Sequence, residues 1–456
     1  MAGRARSSVS TVNRTEPAAG RRDLYAASAA ALLVVAAVLI GRHIEGTHHT
    51  LRVNWPPLYA EWMPHIGPGT PAALAVAVAV VTYGPRVAAT LRWRLLLLAA
   101  WGTSFAWILS LAMIDDWHRG IAIRLTTKYE YLQVIDRFQD IPATLRSYTQ
   151  HILIDSPDPW PAHTAGHPPA APLTFVLLDR IGLGGGGWAG LWCIVTGAAA
   201  CMAVLTAVRA LASEELARRA APFLVLAPAA VWMGASADAY FAAVAAWAVA
   251  LLALAATGRS LWWAAGSGLL FGLTCYLSYG LTLFAVLVAA VLLLGRVWRR
   301  PLLLAPLLAG CAVVPAAFTV IGFNWWEGYD LLVTRYYQGA GGIRPYSYWV
   351  WANLACAVLT VGPATVAGLR RAGAELLPRP RLTTPGVRLA LLALAALGAL
   401  LAADLSGMSK AETERIWLPF TMWLLAAGGL LPRPRPWLTA QAALALTVNH
   451  LLFTGW

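Results

Sequence analysis

Two carboxylates stand side by side in Ile114-Asp115-Asp116-Trp117-His118-Arg119, directly after a long apolar run. An acid at the C-terminal end of a helix faces the negative end of the helix dipole, which strengthens its hold on a proton and suits it to general-base work. The same pair could instead be a polar stop to a membrane helix. Neighbouring helical side chains project about 100° apart. Asp115 and Asp116 are therefore expected to have unequal roles, with Asp115 slightly favoured as base and Asp116 orienting a substrate or binding a cation. Downstream, Ala165-Gly166-His167-Pro168-Pro169 leads into another apolar stretch. Prolines can open a helix, whereas a histidine there suits a hydrogen bond to phosphate or carboxylate. Arg335 and Arg344 lie in one later polar loop, and Lys410, Glu412, Glu414 and Arg415 in the next. Arginine can grip a phosphate bidentately, although each cation is also explained as a solvated interfacial charge. Glu412 and Glu414 precede a helix, where acids favour the N-terminus, so capping accounts for part of that cluster. Trp325-Trp326 and Tyr336-Tyr337 fit sugar stacking or an aromatic belt at a membrane interface. The sequence contains no DxD-type metal motif next to these residues; paired carboxylates can still hold a divalent ion, so a divalent cation stays open as a cofactor.

The elements that must position these residues are membrane helices. Hydrophobic residues make up 59% of the 456-residue chain and charged residues only 12%, more apolar surface than a soluble domain can bury. Crossings are expected near 24–41, 65–84, 95–113, 187–208, 221–236, 239–257, 262–278, 281–295, 301–321, 346–368, 387–403, 416–431 and 437–455, about thirteen in an all-α polytopic protein. Residues 1–23, rich in Arg, Ser and Ala, read as a disordered cytoplasmic tail before a transmembrane domain over 24–456. No cleavable signal peptide is expected. With the N-terminus inside, roughly 22 of the 34 basic residues and about 5 of the 21 acidic ones face the cytoplasm. That balance requires 168–183 to be a re-entrant segment, since a full crossing would turn the later arginine clusters outward. The polar residues then collect in outer loops at 115–168, 322–345 and 404–415. Within the first, Tyr131, Val134, Ile135, Phe138, Ile141, Leu145 and Tyr148 recur at helical spacing, as in an amphipathic helix lying on the bilayer or packed on other loops. All five cysteines fall in apolar runs and read as small buried hydrophobes.

The acidic pair opening the first large outer loop, the juxtamembrane helix after it, and Gly166-His167-Pro168-Pro169 together resemble the GT-C superfamily of membrane glycosyltransferases. The likeness is to its protein-mannosyltransferase and aminoarabinose-transferase branches. Ser236-Ala237-Asp238-Ala239-Tyr240 sits at an outer helix junction where those branches also carry a polar motif. Two crossings precede the helix bearing the acidic motif, where that helix is usually the first, and no soluble C-terminal domain follows. The resemblance implies transfer with inversion of a sugar, mannose first, from a polyprenyl-phosphate donor to an envelope glycan, lipid or protein at the outer face of the cell membrane. Asp115 or Asp116 would be the base, with His167, Arg335, Arg344, Lys410, Glu412, Arg415, Asp238 and Tyr240 around donor phosphate and substrate. Membrane lipids are the other expected partners, and nucleic acid is not one. A transporter or flippase for a lipid-linked or polar solute is the alternative, disfavoured by the scarcity of charge at mid-span and of internal repeats. A non-catalytic scaffold would leave the clustered outer polar groups without a role.

Overall fold

The structure, a computed structural model, describes residues 16–258, 260–377 and 379–455. Its α-helices of eight or more residues are α1 (Glu16–His48), α2 (Thr70–Thr90), α3 (Trp93–Ala112), α4 (Ala170–Arg180), α5 (Gly186–Leu211), α6 (Glu214–Val225), α7 (Ala237–Gly258) and α8 (Leu261–Leu277). They continue with α9 (Ala285–Leu294), α10 (Leu304–Ile321), α11 (Trp325–Gln338), α12 (Tyr346–Glu375), α13 (Pro385–Leu405), α14 (Leu418–Leu425) and α15 (Pro434–Leu451). One small antiparallel ladder joins β1 (Ala60–Trp62) to β2 (Leu452–Thr454). Among the described residues, eight helices are long and apolar enough to cross a membrane, and three shorter apolar ones accompany them. The chain is a multi-pass α-helical membrane protein.

α5, α7 and α12 are the most enclosed of the long helices, while α1 and α10 are the least. Their contacts rest on small residues, as expected where lipid supplies no hydrophobic drive between helices. A Cβ on Gly268 of α8 would stand 2.0 Å from the Leu307 carbonyl oxygen, and one on Gly310 of α10 2.2 Å from that of Ala265. The two backbones therefore touch through glycine.

Several expected crossings are not continuous α-helices, and two of them change element altogether. In 221–236, α6 ends at Val225 and Pro228 restarts the chain as a 3-10 turn to Trp232. Every residue from 220 to 243 is buried, so this apolar run is protein core rather than lipid-facing surface. In 437–455, α15 gives way to β2, whose partner strand lies near the N-terminal third of the chain. The expected tail, 1–23, is partly corrected: residues 1–15 lie outside the described residues, but 16–23 belong to α1. Asp23 is buried, and its two oxygens accept from Arg370 at 2.5 Å and Arg371 at 2.6 Å on α12. A doubly paired carboxylate is a docking point.

The amphipathic stretch 128–152 is also no single helix. It forms a 3-10 helix at Tyr131–Phe138, an α-turn at Ile141–Arg146 capped by Asp140, and a 3-10 turn at Tyr148–His151. Asp140 accepts the Ala143 N–H, and Pro142 sits at the new start, which divides the periodicity. Tyr131, Val134, Phe138, Leu145 and Tyr148 are all buried, with Tyr131 stacked on Phe175 of α4 at 5.4 Å. The apolar stripe covers protein. α4 itself has 11 residues and is about 16 Å long, too short to cross roughly 30 Å of hydrocarbon. The five cysteines are free, three of them buried.

Candidate functional site

The polar residues assemble at one end of the helix bundle, opposite the end where Arg218 meets the α2–α3 turn through the carbonyls of Ala88 and Leu91. α3 ends there in a 3-10 turn, Met113–Asp115, followed by Asp116 at φ 66°. The two carboxylates diverge. Asp115, 7% exposed, stands 2.9 Å from His65 Nε2, 3.6 Å from Arg124 and 4.0 Å from Arg119. Asp116 is 48% exposed. The Arg119 backbone N–H, donating at 2.9 Å, helps hold its carboxyl below the usual range. Arg124 is buried as well, and it donates to the Thr454 carbonyl at 2.7 Å while lying over the Phe453 ring.

The second group is organised by Arg415. Its Nη1 donates to Asp238 Oδ2 at 2.6 Å, and its Nη2 reaches Glu412 Oε2 at 3.2 Å and His163 Nε2 at 3.3 Å. Asp238 opens α7, where the helix dipole favours an anion. Glu412 also accepts from Arg344 at 3.3 Å, so one carboxylate bridges two guanidinium groups. Burial works against the charge of Glu412, but Arg415 and Arg344 outweigh it and lower its pKa. Burial likewise opposes the charge of Arg415, and Asp238 and Glu412 overcome it, raising its pKa. Arg344 further donates to the carbonyls of Leu51 and Lys410, and Lys410 Nζ to that of Gly341 at 2.8 Å. His163 Nδ1 lies 2.7 Å from Glu130. Beside them, Glu414 is fully buried; its Oε1 accepts the Tyr59 N–H at 2.9 Å, and burial pushes its pKa to about 7.

Two spaces adjoin this network. An enclosed one of about 10 Å³ is lined by Arg124, Glu130, Tyr131 and Arg415, linking the Asp115 cluster to the Arg415 cluster. A cleft of about 300 Å³ is lined by Asn54, Tyr59, Glu61, Thr127, Tyr129 and His163, with Phe453 on one wall. Aromatic faces beside hydroxyl, amide and carboxylate groups are the lining a polar ring compound needs. Asp116, Ala235, Ala411 and Glu412 all hold left-handed φ values of 60–69°. For residues other than glycine that conformation costs about 1–3 kcal/mol each; His49, Arg52, Asp158 and Arg296 share it elsewhere in the chain.

Of the residues singled out in the sequence, Asp238, Glu412, Arg415, Arg344 and Lys410 meet in one cluster, and Asp115 reaches it through Arg124. The rest stand apart. Arg335 donates to the Trp160 carbonyl at 3.2 Å, and Tyr240 turns toward Thr174, 3.5 Å away. His167 sits under Tyr131, its Nδ1 2.8 Å from the His163 carbonyl and 3.0 Å from the Tyr131 hydroxyl, and burial lowers its pKa to about 4. That ring joins two loop segments. Sequence reading passed over Glu130, His163, Arg124, His65 and Tyr59. It also missed Asn353, whose buried amide on α12 donates to Asp404 at 2.8 Å and to the Ser409 carbonyl at 2.6 Å, fixing the 404–415 loop. Among the described residues no group of three or more His, Cys, Asp or Glu side chains could hold a metal ion. Asp115 and Asp116 differ in exposure, the first enclosed and the second open to solvent.

No family model and no curated protein matches the sequence. Among solved structures the chain is similar to the Archaeoglobus fulgidus oligosaccharyltransferase in complex with Zn and sulfate, at 15% identity and a TM-score of 0.42 over 77% of this chain and 51% of that one. It is similar to the oligosaccharyltransferase AglB from the same organism with an inhibitory peptide and a dolichol-phosphate, at 14% identity and a TM-score of 0.42 over 78% and 50%. A third likeness is to ArnT from Cupriavidus metallidurans bound to undecaprenyl phosphate, at 18% identity and a TM-score of 0.43 over 74% and 59%. The chain spans about half the length of the two Archaeoglobus structures. Overlap of this extent assigns it neither a family nor a function.

Proposed function

We propose that the chain is a membrane glycosyltransferase that takes a sugar from a polyprenyl-phosphate donor and passes it, with inversion, to an envelope acceptor at the outer face of the membrane. The observation that carries this reading is the Glu412-bridged pair of guanidinium groups, Arg344 and Arg415, next to a polar, aromatic-lined cleft. As the bond from the anomeric carbon to the donor's phosphate oxygen breaks, negative charge grows on the phosphate. Two preorganised guanidinium groups in a site largely removed from water stabilise that charge without reorganising. Lys410 adds a third cation within the same loop, held by Gly341 and lying over the Tyr337 ring at 5.3 Å. The leaving group is already anionic, so the chemistry asks for one base and no strong general acid. Asp115 and Asp116 enter with different environments: Asp115 anchors Arg124, and Asp116 is open to solvent. Mannose is the sugar that the sequence resemblance suggests. The arginine clusters at the far end of the bundle support a cytoplasmic position for that end.

Binding of undecaprenyl phosphate to purified protein tests the phosphate site directly. Wild type should bind it saturably, and Arg344→Ala should lose about 2–5 kcal/mol of affinity, the cost of stranding a desolvated charge partner. No saturable binding by wild type, or equal binding by the variant, would remove the reading. A cysteine at Gln150 should react with an impermeant thiol reagent from outside and one at Glu215 should not; the opposite pattern reverses the orientation.

A further inference from the structure

At the bundle end opposite the polar network, α2, α6 and the turn into α15 enclose a cleft of about 580 Å³ that the proposed reaction does not use. That volume lies within the roughly 300–1,000 Å³ of small-molecule sites. Its apolar walls are Pro85 and Ala89 of α2, Pro222 of α6, and Pro432 and Pro434. Four charged side chains from the first turns of α6 complete the lining, and two of them are committed to each other. Arg218 donates through Nε and Nη2 to Glu214 Oε1 at 2.9 and 2.7 Å, and through Nη1 to the carbonyls of Ala88 and Leu91. Arg209 holds the other Glu214 oxygen at 2.8 Å. One cation and one anion are left. Arg219 Nη2 donates to the Leu431 carbonyl at 2.9 Å, which fixes that guanidinium group at the cleft. Its Nη1 stands 3.9 Å from Glu215 Oε1, beyond hydrogen-bond distance, and the two side chains are 41% and 82% exposed. An apolar track leads away from this pair. At 100° per residue, Leu74, Val78, Pro85 and Ala89 fall within about 60° of one another around the α2 axis, and Leu74 and Val78 are exposed. From Ala89 to Leu74 the track is about 22 Å long, more than one leaflet's half of roughly 30 Å of hydrocarbon.

We propose that this cleft binds a zwitterionic phospholipid with a primary ammonium headgroup, a phosphatidylethanolamine, with its phosphate on Arg219, its ammonium on Glu215 and an acyl chain along the Leu74–Val78 track of α2. The site is independent of the glycosyl-transfer reading. Charge selects the class of lipid. The lining carries two guanidinium groups and two carboxylates, no net charge, and Arg86 and Arg433 adjoin lining residues in sequence but lie outside the lining. An anionic headgroup such as that of phosphatidylglycerol would reach Arg219 but leave Glu215 facing a like charge. Phosphatidylcholine has the right charges, yet its trimethylammonium group has no N–H to donate, whereas a primary ammonium offers three donors to the carboxylate. Phosphate and ammonium two carbons apart can lie antiparallel to the Arg219–Glu215 pair and replace one loose contact with two ionic hydrogen bonds. The bound lipid would touch α2, α6 and the start of α15 together, so it also ties these three helices to one another.

The test is titration of the purified full chain in detergent with dioleoyl phosphatidylethanolamine, phosphatidylcholine and phosphatidylglycerol, with bound lipid counted by native mass spectrometry and thermal stability followed in parallel. Wild type should bind phosphatidylethanolamine about two- to fivefold more tightly than the other two, the scale of a partly exposed ion pair. The same lipid should raise its melting temperature most, since a ligand of the folded state stabilises it by mass action. Glu215→Gln, a change at an exposed position, should bring phosphatidylethanolamine down to the level of phosphatidylcholine. Glu215→Lys should turn the preference toward phosphatidylglycerol, a gain that misfolding cannot produce. Arg219→Ala should weaken all three, because each carries a phosphate. Equal binding of the three lipids by wild type, or a wild-type preference for phosphatidylglycerol, overturns the proposal. An unchanged preference for phosphatidylethanolamine in Glu215→Gln and Glu215→Lys, or unchanged binding by Arg219→Ala, overturns it as well.

Discussion

Replacing Asp238 by alanine removes a buried carboxylate partner of Arg415 while leaving the guanidinium group enclosed. The two charged groups approach to 2.6 Å and are 5–7% exposed. With charge centres about 4 Å apart, an effective dielectric of 20 gives an attraction of about 4 kcal/mol. Glu412, 3.2 Å away, remains to compensate part of the stranded charge, so the loss should lie near the lower end of the 3–5 kcal/mol typical of a broken buried pair, about 3 kcal/mol. Replacing both partners, as in Asp238→Ala with Arg415→Met, removes two desolvated charges together and should cost clearly less than the sum of the single changes. The measurement is a double-mutant cycle on unfolding of purified protein in detergent, with undecaprenyl phosphate binding followed in parallel. Stability should be largely restored in the double variant, whereas lipid-phosphate binding should not be, because its cation is gone. Single changes that add to within about 0.5 kcal/mol would refute the reasoning, since groups in direct buried contact should couple by more than that.

Asp115→Asn should lower stability by about 1–3 kcal/mol, because Arg124 loses its charge partner, while exposed Asp116→Asn should stay within about 0.5 kcal/mol. Equal losses would contradict the unequal surroundings, and a large fall in turnover confined to Asp116→Asn would assign the base to Asp116. Burial raises the Glu414 carboxyl from 4.5 to about 7, so the folded state binds that proton more tightly than the unfolded one. Its contribution is full below about pH 4.5 and fades as pH rises through 7, by at most about 1.4 kcal/mol per pH unit. His167, lowered from 6.5 to about 4, acts in the other direction: its contribution is complete above pH 6.5 and is lost as pH falls toward 4. Glu414→Gln should therefore flatten the loss of thermal stability between about pH 5 and 8; parallel wild-type and variant profiles would sink the assignment.

Much of the frame can be read from composition, and the site only in part. Asp238, Glu412 and Arg415 were legible as polar groups in outer loops because a membrane protein leaves few other places for charge. Their pairing was not, since it depends on how α7 and the 404–415 turn meet in space. The segment 221–236 shows the limit of hydropathy: an apolar run looks the same whether it faces lipid or is enclosed by neighbouring helices. Tyr131–Tyr148 shows the limit of periodicity, because Asp140 and Pro142 restart the helix without disturbing the spacing of its apolar residues. His163 and Glu130 carried no signal at all. Their relation appears only when the loop folds back, with the His163 N–H donating to the Tyr129 carbonyl at 2.9 Å.

The clamp at Asp23 sets a clock on assembly. Arg370 lies 347 residues beyond it in the chain. At 5–20 residues per second of synthesis, α1 spends about 17–70 s in the membrane before the segment that anchors it exists. The Tyr348 hydroxyl that donates to the Ala37 carbonyl near the middle of α1 arrives almost as late. α1 is thus made long before it can dock, and because Arg344 holds the Leu51 carbonyl just past its end, the proposed phosphate site can close only after that wait.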